Sequence, residues 1–301
     1  MSEVKIFRLE TIYLKLILAT FFLGSTFISG KILSQIFPPL TCAFLRFSVA
    51  TIFLFLFIYR KNGYIPPCNF KNLIIIFLLS LIGIVGDNFL FFSGLRIIQA
   101  NRGAIIIALS PISILLFSSI IFKEQLTRLK ILGISLSVIG AAIVISKGDL
   151  GVIFQGKIGM GELYMLGCVF SWTVFTLLGK RIMEMISPVI VLAYASLIAT
   201  FILLYPVILE GKIILLFRWN ILIILSVLAL GLFGTALAYY WYYEGINRIG
   251  PSRSGAFINL VPIFGAVLST IIFKEEITAS FVFGAFLVFG GVYLTNRIRA
   301  K

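Results

Sequence analysis

The chain has 301 residues, of which 60% are hydrophobic and 12% are charged, and its formal net charge is +14. Since about a quarter of the residues of soluble proteins are charged, this composition indicates an integral membrane protein. A nucleic-acid-binding protein would gather its Lys and Arg on one solvated face. Here they lie in short segments between apolar runs, which argues against that partner. Three cysteines without paired spacing and a complete lack of histidine give no support for a disulfide framework, a zinc site or a histidine base.

A short charged leader, residues 1–10, precedes the first apolar run. That run is too long for the apolar core of a signal peptide, and it reaches the ~20 residues that a bilayer requires. The predicted transmembrane helices are residues 11–33, 39–59, 73–95, 103–122, 129–146, 162–179, 188–209, 221–245, 254–273 and 280–295. The sequence thus predicts an all-α membrane protein with ten transmembrane helices and a polar, glycine-rich break at residues 147–161.

Residues 94–147 recur as residues 245–298, with roughly 17 of about 54 positions identical and no gap. Shared apolar composition does not explain several of the matches. They are Arg102 with Arg253, Pro111 with Pro262, Lys123-Glu124 with Lys274-Glu275, Thr127 with Thr278, Gly133 with Gly284, and Gly140 with Gly291. We therefore predict two five-helix repeats, residues 11–147 and 162–297. Because five is an odd number of crossings, the second repeat is predicted to be inverted relative to the first.

The distribution of positive charge predicts the orientation of the chain in the membrane. With the N-terminus in the cytoplasm, fifteen Lys and Arg fall in the inner segments and eight in the outer segments. Since Lys and Arg favour the cytoplasmic side, both termini are predicted to be cytoplasmic, with the protein in the cell inner (plasma) membrane.

Three motifs precede a glycine-spaced helix: Asn-Arg-Gly-Ala at 101–104, Leu-Ser-Pro at 109–111 and Phe-Lys-Glu-x-x-Thr at 122–127. In this order they resemble the EamA domain of the drug/metabolite transporter superfamily. The spacing from Trp172 to Lys180 and from Pro39 to Arg46 also fits the family. The chain departs from the pattern at Leu23, where the family has Trp, and at Ala195, where it has Arg. The resemblance covers nearly the whole chain and implies a ten-helix transporter, in many members an exporter of amino acids or other metabolites.

Inverted repeats favour alternating access to a site near mid-membrane, between the two halves. The predicted substrate-pathway residues are Arg46, Asp87, Asn88, Ser110, Pro111, Trp172, Tyr239, Tyr243, Asn259 and Pro262. The two prolines are included because an interior proline leaves one helical carbonyl without its donor, although a packing kink is an equal alternative. No cofactor, metal or catalytic residue is predicted.

Arg46 and Asp87 are the ionisable residues that stand clearly inside apolar runs of the first half. An isolated charge at that depth costs several kcal/mol, so both should face protein or water and find partners. The helical rise of ~1.5 Å places Arg46 about 10 Å and Asp87 about 12 Å below the outer surface. This common depth favours a pair between them. The alternative is that Arg46 extends to the headgroups and Asp87 is solvated in an outer vestibule.

Five consecutive aromatic residues, 239–243, leave two interpretations open: an interfacial aromatic belt, or a face whose rings contact an organic solute or a cation. Trp172 is a second candidate for solute contact. The glycines of the fifth and tenth helices allow close backbone approach and are assigned to scaffold or to a homodimer contact. Glu124 and Glu275 precede Thr127 and Thr278, which are suited to cap the following helix, so a structural turn is favoured over proton coupling.

The sequence therefore predicts a secondary transporter, more specifically an exporter, of a small organic metabolite such as an amino acid, in contact with membrane lipids and with no enzymatic activity. The alternatives are a membrane-embedded enzyme or lipid-processing protein, which would need a catalytic cluster at one depth, and a membrane receptor, which would make no use of inverted symmetry.

Overall fold

The computed structural model describes residues 2–98, 100–149, 151, 159–209, 220–273 and 278–297. In these ranges, ten helices are long and apolar enough to cross a membrane. In chain order they are α1 (Glu10–Ser34), α2 (Pro39–Asn62), α3 (Phe70–Gly94), α4 (Gly103–Ile121), α5 (Arg128–Ile145), α6 (Met160–Ile182), α7 (Pro188–Leu209), α8 (Ile221–Ile249), α9 (Pro251–Ile272) and α10 (Ala279–Asn296). The predicted all-α membrane fold with ten spans is confirmed.

Side-chain caps fix the starts of four helices, at equivalent positions of the two halves. Thr127 and Thr278 accept the N–H groups of the third residue of α5 and α10, as their sequence context predicted. Asn69 and Asn220 do the same for α3 and α8, with N···O distances of 3.0 and 2.9 Å. Each cap satisfies an amide that would otherwise lack a partner at the helix start.

The segment before α5 forms the structural turn that was favoured from the sequence. The carboxylate of Glu124 lies 3.1 Å from the ammonium of Lys130 in the first turn of α5. The carboxylate is therefore neutralised locally. Its predicted counterpart Glu275 lies outside the described residues.

Helices α5 and α10 pack against each other through their glycines. A Cβ on Gly140 would lie 2.6 Å from the Gly284 carbonyl, and a Cβ on Gly284 would lie 2.7 Å from the Gly140 carbonyl. Gly133 and Gly291 oppose each other in the same way. Since Gly133 precedes Gly140 while Gly291 follows Gly284, the two helices run antiparallel. Equivalent helices of two inverted halves cross the membrane in opposite directions, so an antiparallel pair is the arrangement that inverted repeats predict.

Helices α3 and α8 are each interrupted by a π-helical segment, Leu81–Gly86 and Ala229–Leu237. Both segments lie against a helix of the other half. Ser80 of α3 donates to the Ala195 carbonyl of α7 at 3.0 Å, and Gly231 of α8 approaches the Arg46 carbonyl of α2 so closely that a Cβ would lie 3.0 Å from it. Because π segments expose backbone groups and often mark functional sites, these two helix crossings are candidate positions for a functional site.

Candidate functional site

Arg46, in the first third of α2, is held by residues of the π segment of α8 and of the helical turn that follows it. Its Nε donates to Thr235 Oγ1 at 2.5 Å, and its Nη2 donates to the Gly234 carbonyl at 3.3 Å and to the Tyr239 hydroxyl at 3.1 Å. The guanidinium carbon also lies 5.4 Å from the ring centroids of Phe47 and Tyr239, within the range of a cation–π interaction. Arg46 therefore joins the first half to the second.

The irregular backbone of α8 explains why Thr235 can serve as this acceptor. Its hydroxyl donates its own proton to the Leu230 carbonyl at 2.8 Å, which leaves the oxygen lone pairs facing Arg46. The sequence analysis missed Thr235. The sequence signal for this region was a glycine that the two π segments share, since Gly83 and Gly234 occupy equivalent positions. A glycine does not reveal, however, which neighbouring side chain will bind an arginine.

The predicted direct pair between Arg46 and Asp87 is not formed. Among the residues that the structure describes, ion pairs within 4.0 Å join Lys15 to Glu244, Lys130 to Glu124 and Arg181 to Glu184. Arg46 instead uses its donors on the second half, because the π segment supplies acceptors there. Asp87 follows the π segment of α3, and the Cys168 sulfur of α6 lies 3.7 Å from its backbone oxygen.

Several aromatic rings pack around Tyr239, the hydrogen-bond partner of Arg46. The ring centroid of Trp172 is 5.7 Å from that of Tyr239, 5.6 Å from that of Tyr242 and 5.2 Å from that of Phe175. The Trp172 Nε1 is buried and has no hydrogen-bond partner among the described residues. We call Arg46, Asp87, Trp172, Thr235 and Tyr239 the central site; it combines α2 and α3 of the first half with α6 and α8 of the second.

The aromatic-belt interpretation is wrong for three of the five residues at 239–243, because Tyr239, Tyr242 and Tyr243 are buried inside the protein. The Tyr243 hydroxyl donates to the Phe175 carbonyl at 2.9 Å, and the two rings are 4.8 Å apart. Tyr243 therefore packs behind the central site, whereas Tyr239 reaches Arg46.

Asn88, Ser110 and Pro111 have local roles in the backbone. Asn88 donates to the Ile84 carbonyl at 2.8 Å and so supports the π segment of α3. Pro111 cannot donate to the carbonyl of Ile107, four residues earlier. The Ser110 hydroxyl donates to that carbonyl at 2.6 Å, so the Ser-Pro pair compensates for its own interruption of the helix.

Pro262 and Asn259 lie in α9, where the equivalent interruption is resolved differently. A short 3₁₀ segment, Phe257–Leu260, lets the Val261 amide bond to the Ile258 carbonyl that Pro262 leaves free. Asn259 is buried, and its side-chain nitrogen donates to Ser137 of α5 at 3.0 Å. The structure therefore directs Asn259 toward the α5–α10 pair, away from Arg46.

The central site offers two unlike charges and an aromatic surface. Among the described residues, neither Nη1 of Arg46 nor the Asp87 carboxylate makes a hydrogen bond, although Nε and Nη2 of Arg46 do. Arg46, Asp87 and Trp172 each keep partial accessibility. The site can thus bind a carboxylate at Arg46, a cation at Asp87 and an apolar group on the rings.

The fold and this site define a multi-pass integral membrane protein with a polar site between its two halves. The EamA-like transporter family matches residues 11–146 and again residues 159–297, so the chain belongs to that family. The protein is therefore a transporter and not an enzyme, as the sequence predicted.

Named relatives and a solved structure agree with this assignment. The chain is 30% identical over 287 residues to the uncharacterized transporter YyaM of Bacillus subtilis, with 95% of this chain and 94% of the relative covered. It is 26% identical to an uncharacterized transporter of Archaeoglobus fulgidus, with 95% and 99% covered. A crystal structure with 17% identity superposes with a TM-score of 0.75 over 95% of this chain and 97% of that one, which shows the common fold.

Proposed function

We propose that the protein exports a small zwitterionic metabolite, such as an amino acid or a related compound, across the cytoplasmic membrane by alternating access. The observation that carries this proposal is that, within the described part of the chain, neither Nη1 of Arg46 nor the carboxylate of Asp87 has a hydrogen-bond or ion-pair partner. A solute with a carboxylate and an ammonium group complements both, and the rings of Trp172 and Tyr239 suit its apolar part.

The way Arg46 is held supports a role in binding beyond packing. Three hydrogen bonds to α8 fix the plane of the guanidinium. A guanidinium with one fixed edge presents its free edge in a defined direction, which favours recognition of a carboxylate. Because Arg46 belongs to the first half and its partners to the second, a change in the angle between the halves would alter the site itself.

Alternating access is supported by the matching interruptions of the two halves. π segments in α3 and α8 and proline-associated breaks in α4 and α9 occur at equivalent positions. Discontinuous helices around a midplane site are typical of transporters built from inverted repeats. The charge distribution favours both termini in the cytoplasm.

The test uses purified protein in proteoliposomes loaded with a radiolabelled mixture of L-amino acids, and measures exchange against the same mixture outside. Arg46→Ala and Asp87→Ala are each expected to lower transport at least about tenfold, since a hydrogen bond to a charged group contributes roughly 1.5–3 kcal/mol. Arg60→Ala and Asp149→Ala, which remove one exposed charge of each sign, serve as matched controls.

Partial analogues separate the two charged contacts. Unlabelled amino acid should compete for transport, whereas acetate and methylamine, which each carry one of the two charges, should compete far less. Full activity of either central-site variant, or equal competition by acetate, would contradict the proposed zwitterion site. If the wild-type protein transports another class of solute and no amino acid, its assignment as a transporter stands but the proposed substrate is wrong.

A further inference from the structure

A second place with both signs of charge lies at the face where α1 begins and α8 ends. A cleft of about 190 Å³ opens between the end of α2, the start of α7 and the end of α8. Its polar lining consists of Lys61, Ser187, Tyr240, Glu244, Asn247 and Arg248. Lys61 and Arg248 are exposed and have no ion-pair partner among the residues that the structure describes.

Glu244 of the cleft also holds α1. Its carboxylate lies 2.6 Å from the ammonium of Lys15, and both side chains keep some access to solvent. One residue further along each helix the side chain of Leu16 packs directly on Gly245, since a Cβ on Gly245 would lie 2.6 Å from a methyl of Leu16. The ion pair therefore closes the contact between α1 and α8 at this face.

The equivalent contact on the opposite face has no ion pair. There Gly94 packs against Met165 as Gly245 packs against Leu16, with a Cβ on Gly94 lying 2.6 Å from the Met165 methyl group. The residues that correspond to Lys15 and Glu244 are Tyr164 and Ser93, which carry no charge at neutral pH. The charged pair is therefore specific to the α1–α8 contact, and the equivalent α3–α6 contact does not share it.

The cleft is also close to the central site. Tyr240 and Glu244 lie one helical turn apart on the face of α8 that lines the cleft, and Tyr239 of the central site is the neighbour of Tyr240. Five residues separate Tyr239 from Glu244, which corresponds to about 8 Å along the helix axis. The cleft and the central site therefore lie about one and a half helical turns apart along α8.

We propose that this cleft is a docking site for the transported solute, which binds with its carboxylate on Lys61 and Arg248 and its ammonium group on Glu244. The ammonium group takes the place of Lys15 and releases α1 from α8. An ion pair with access to water is weak, so a bound cation can replace it. This inference rests on the proposed zwitterionic substrate, and it adds a reason for export, since solute opens the contact only from the face predicted to be cytoplasmic.

The experiment measures how fast a cysteine in the α1–α8 contact reacts with a maleimide. Leu16→Cys is introduced into a protein whose native cysteines are replaced (Cys42→Ala, Cys68→Ser, Cys168→Ala), reconstituted in nanodiscs. A mixture of L-amino acids is expected to raise the labelling rate about fivefold, the factor that loss of a weak ion pair allows. Glu244→Gln should give the high rate without any solute, whereas Glu184→Gln, which removes an exposed carboxylate paired with Arg181, should not change it.

Two further variants and one measurement on the unaltered protein complete the test. Lys61→Ala with Arg248→Ala should abolish the response to amino acids but keep the low basal rate. Hydrogen exchange of the wild-type protein in nanodiscs should show faster exchange in residues 10–20 and 240–249 when the mixture is added. No change in either readout, or an unaltered response in the Lys61 and Arg248 double variant, would overturn the docking site.

The outcome is separable from that of the proposed function. Arg46→Ala disables the central site but leaves the cleft intact, so it should lose transport and keep the labelling response. Amino-acid transport without a labelling response rejects the docking site alone. A labelling response without amino-acid transport rejects the proposed function alone.

Discussion

Replacing Gly291 with alanine is expected to force α5 and α10 apart. The added Cβ would collide with the Gly133 carbonyl oxygen and would lie 2.6 Å from the Ser137 nitrogen, whereas ordinary contacts begin at 3.4 Å. The Ser137 contact alone would require the helices to separate by about 0.8 Å and the Gly133 contact requires more, and because both are backbone atoms no flexible side chain can give way. Overpacking of this kind costs roughly 1–3 kcal/mol. At about 2–4 °C per kcal/mol, the melting temperature in detergent should be about 2–12 °C lower than that of a matched Gly→Ala variant without a collision.

The neighbouring glycine provides the control. Nothing lies within 4 Å of a Cβ built on Gly290, so Gly290→Ala adds the same methyl group to the same helix without a collision. Both substitutions gain helix propensity of up to about 1 kcal/mol, so the difference between them isolates the packing. Melting followed by loss of the monodisperse peak in size-exclusion chromatography measures both. Equal melting temperatures, or a lower one for Gly290→Ala, would refute the assignment of α5 and α10 to an internal scaffold.

Three other predictions concern topology, the α9 contact and a thiol. A reporter fused after Lys301 should register as cytoplasmic and one at Gly156 as external, both positions lying outside the described residues; detection on one side would contradict two five-helix halves. Asn259→Leu should reduce amino-acid exchange without affecting membrane insertion, since it removes the hydrogen bond that joins α9 to Ser137 of α5, and normal exchange would show that transport does not depend on this α5–α9 contact. Burial raises the pKa of the Cys68 thiol above its ordinary value of 9.0. Because the thiolate is the reactive form, Cys68 should react with iodoacetamide more slowly at pH 8 than a cysteine at exposed Tyr64, with its rate still rising above pH 9; equal rates would refute this.

The sequence by itself determined the fold class, the ten spans and the repeat. Apolar runs of about 20 residues can satisfy their backbone in a bilayer only as helices, so length and hydropathy suffice. The caps at Thr127 and Thr278 were equally readable, because a cap bonds to an amide only two or three residues away. The close approach of α5 and α10 followed from glycines spaced along one helix, although their partner was left open between scaffold and dimer.

Only the tertiary structure decided the partners of the charged and aromatic residues. Arg46 and Asp87 were predicted at a common depth, but depth does not specify which way a side chain points around its helix. The π segment of α8 supplied Thr235 to Arg46 and the helical turn after it supplied Tyr239, and no periodic pattern of the sequence predicts a π segment. The burial of Tyr242 and Tyr243 and the contact of Lys15 with Glu244 likewise depend on which helix faces meet. Local chemistry fixes where a helix lies and where it begins, whereas contacts between residues distant in sequence are fixed only when the helices pack.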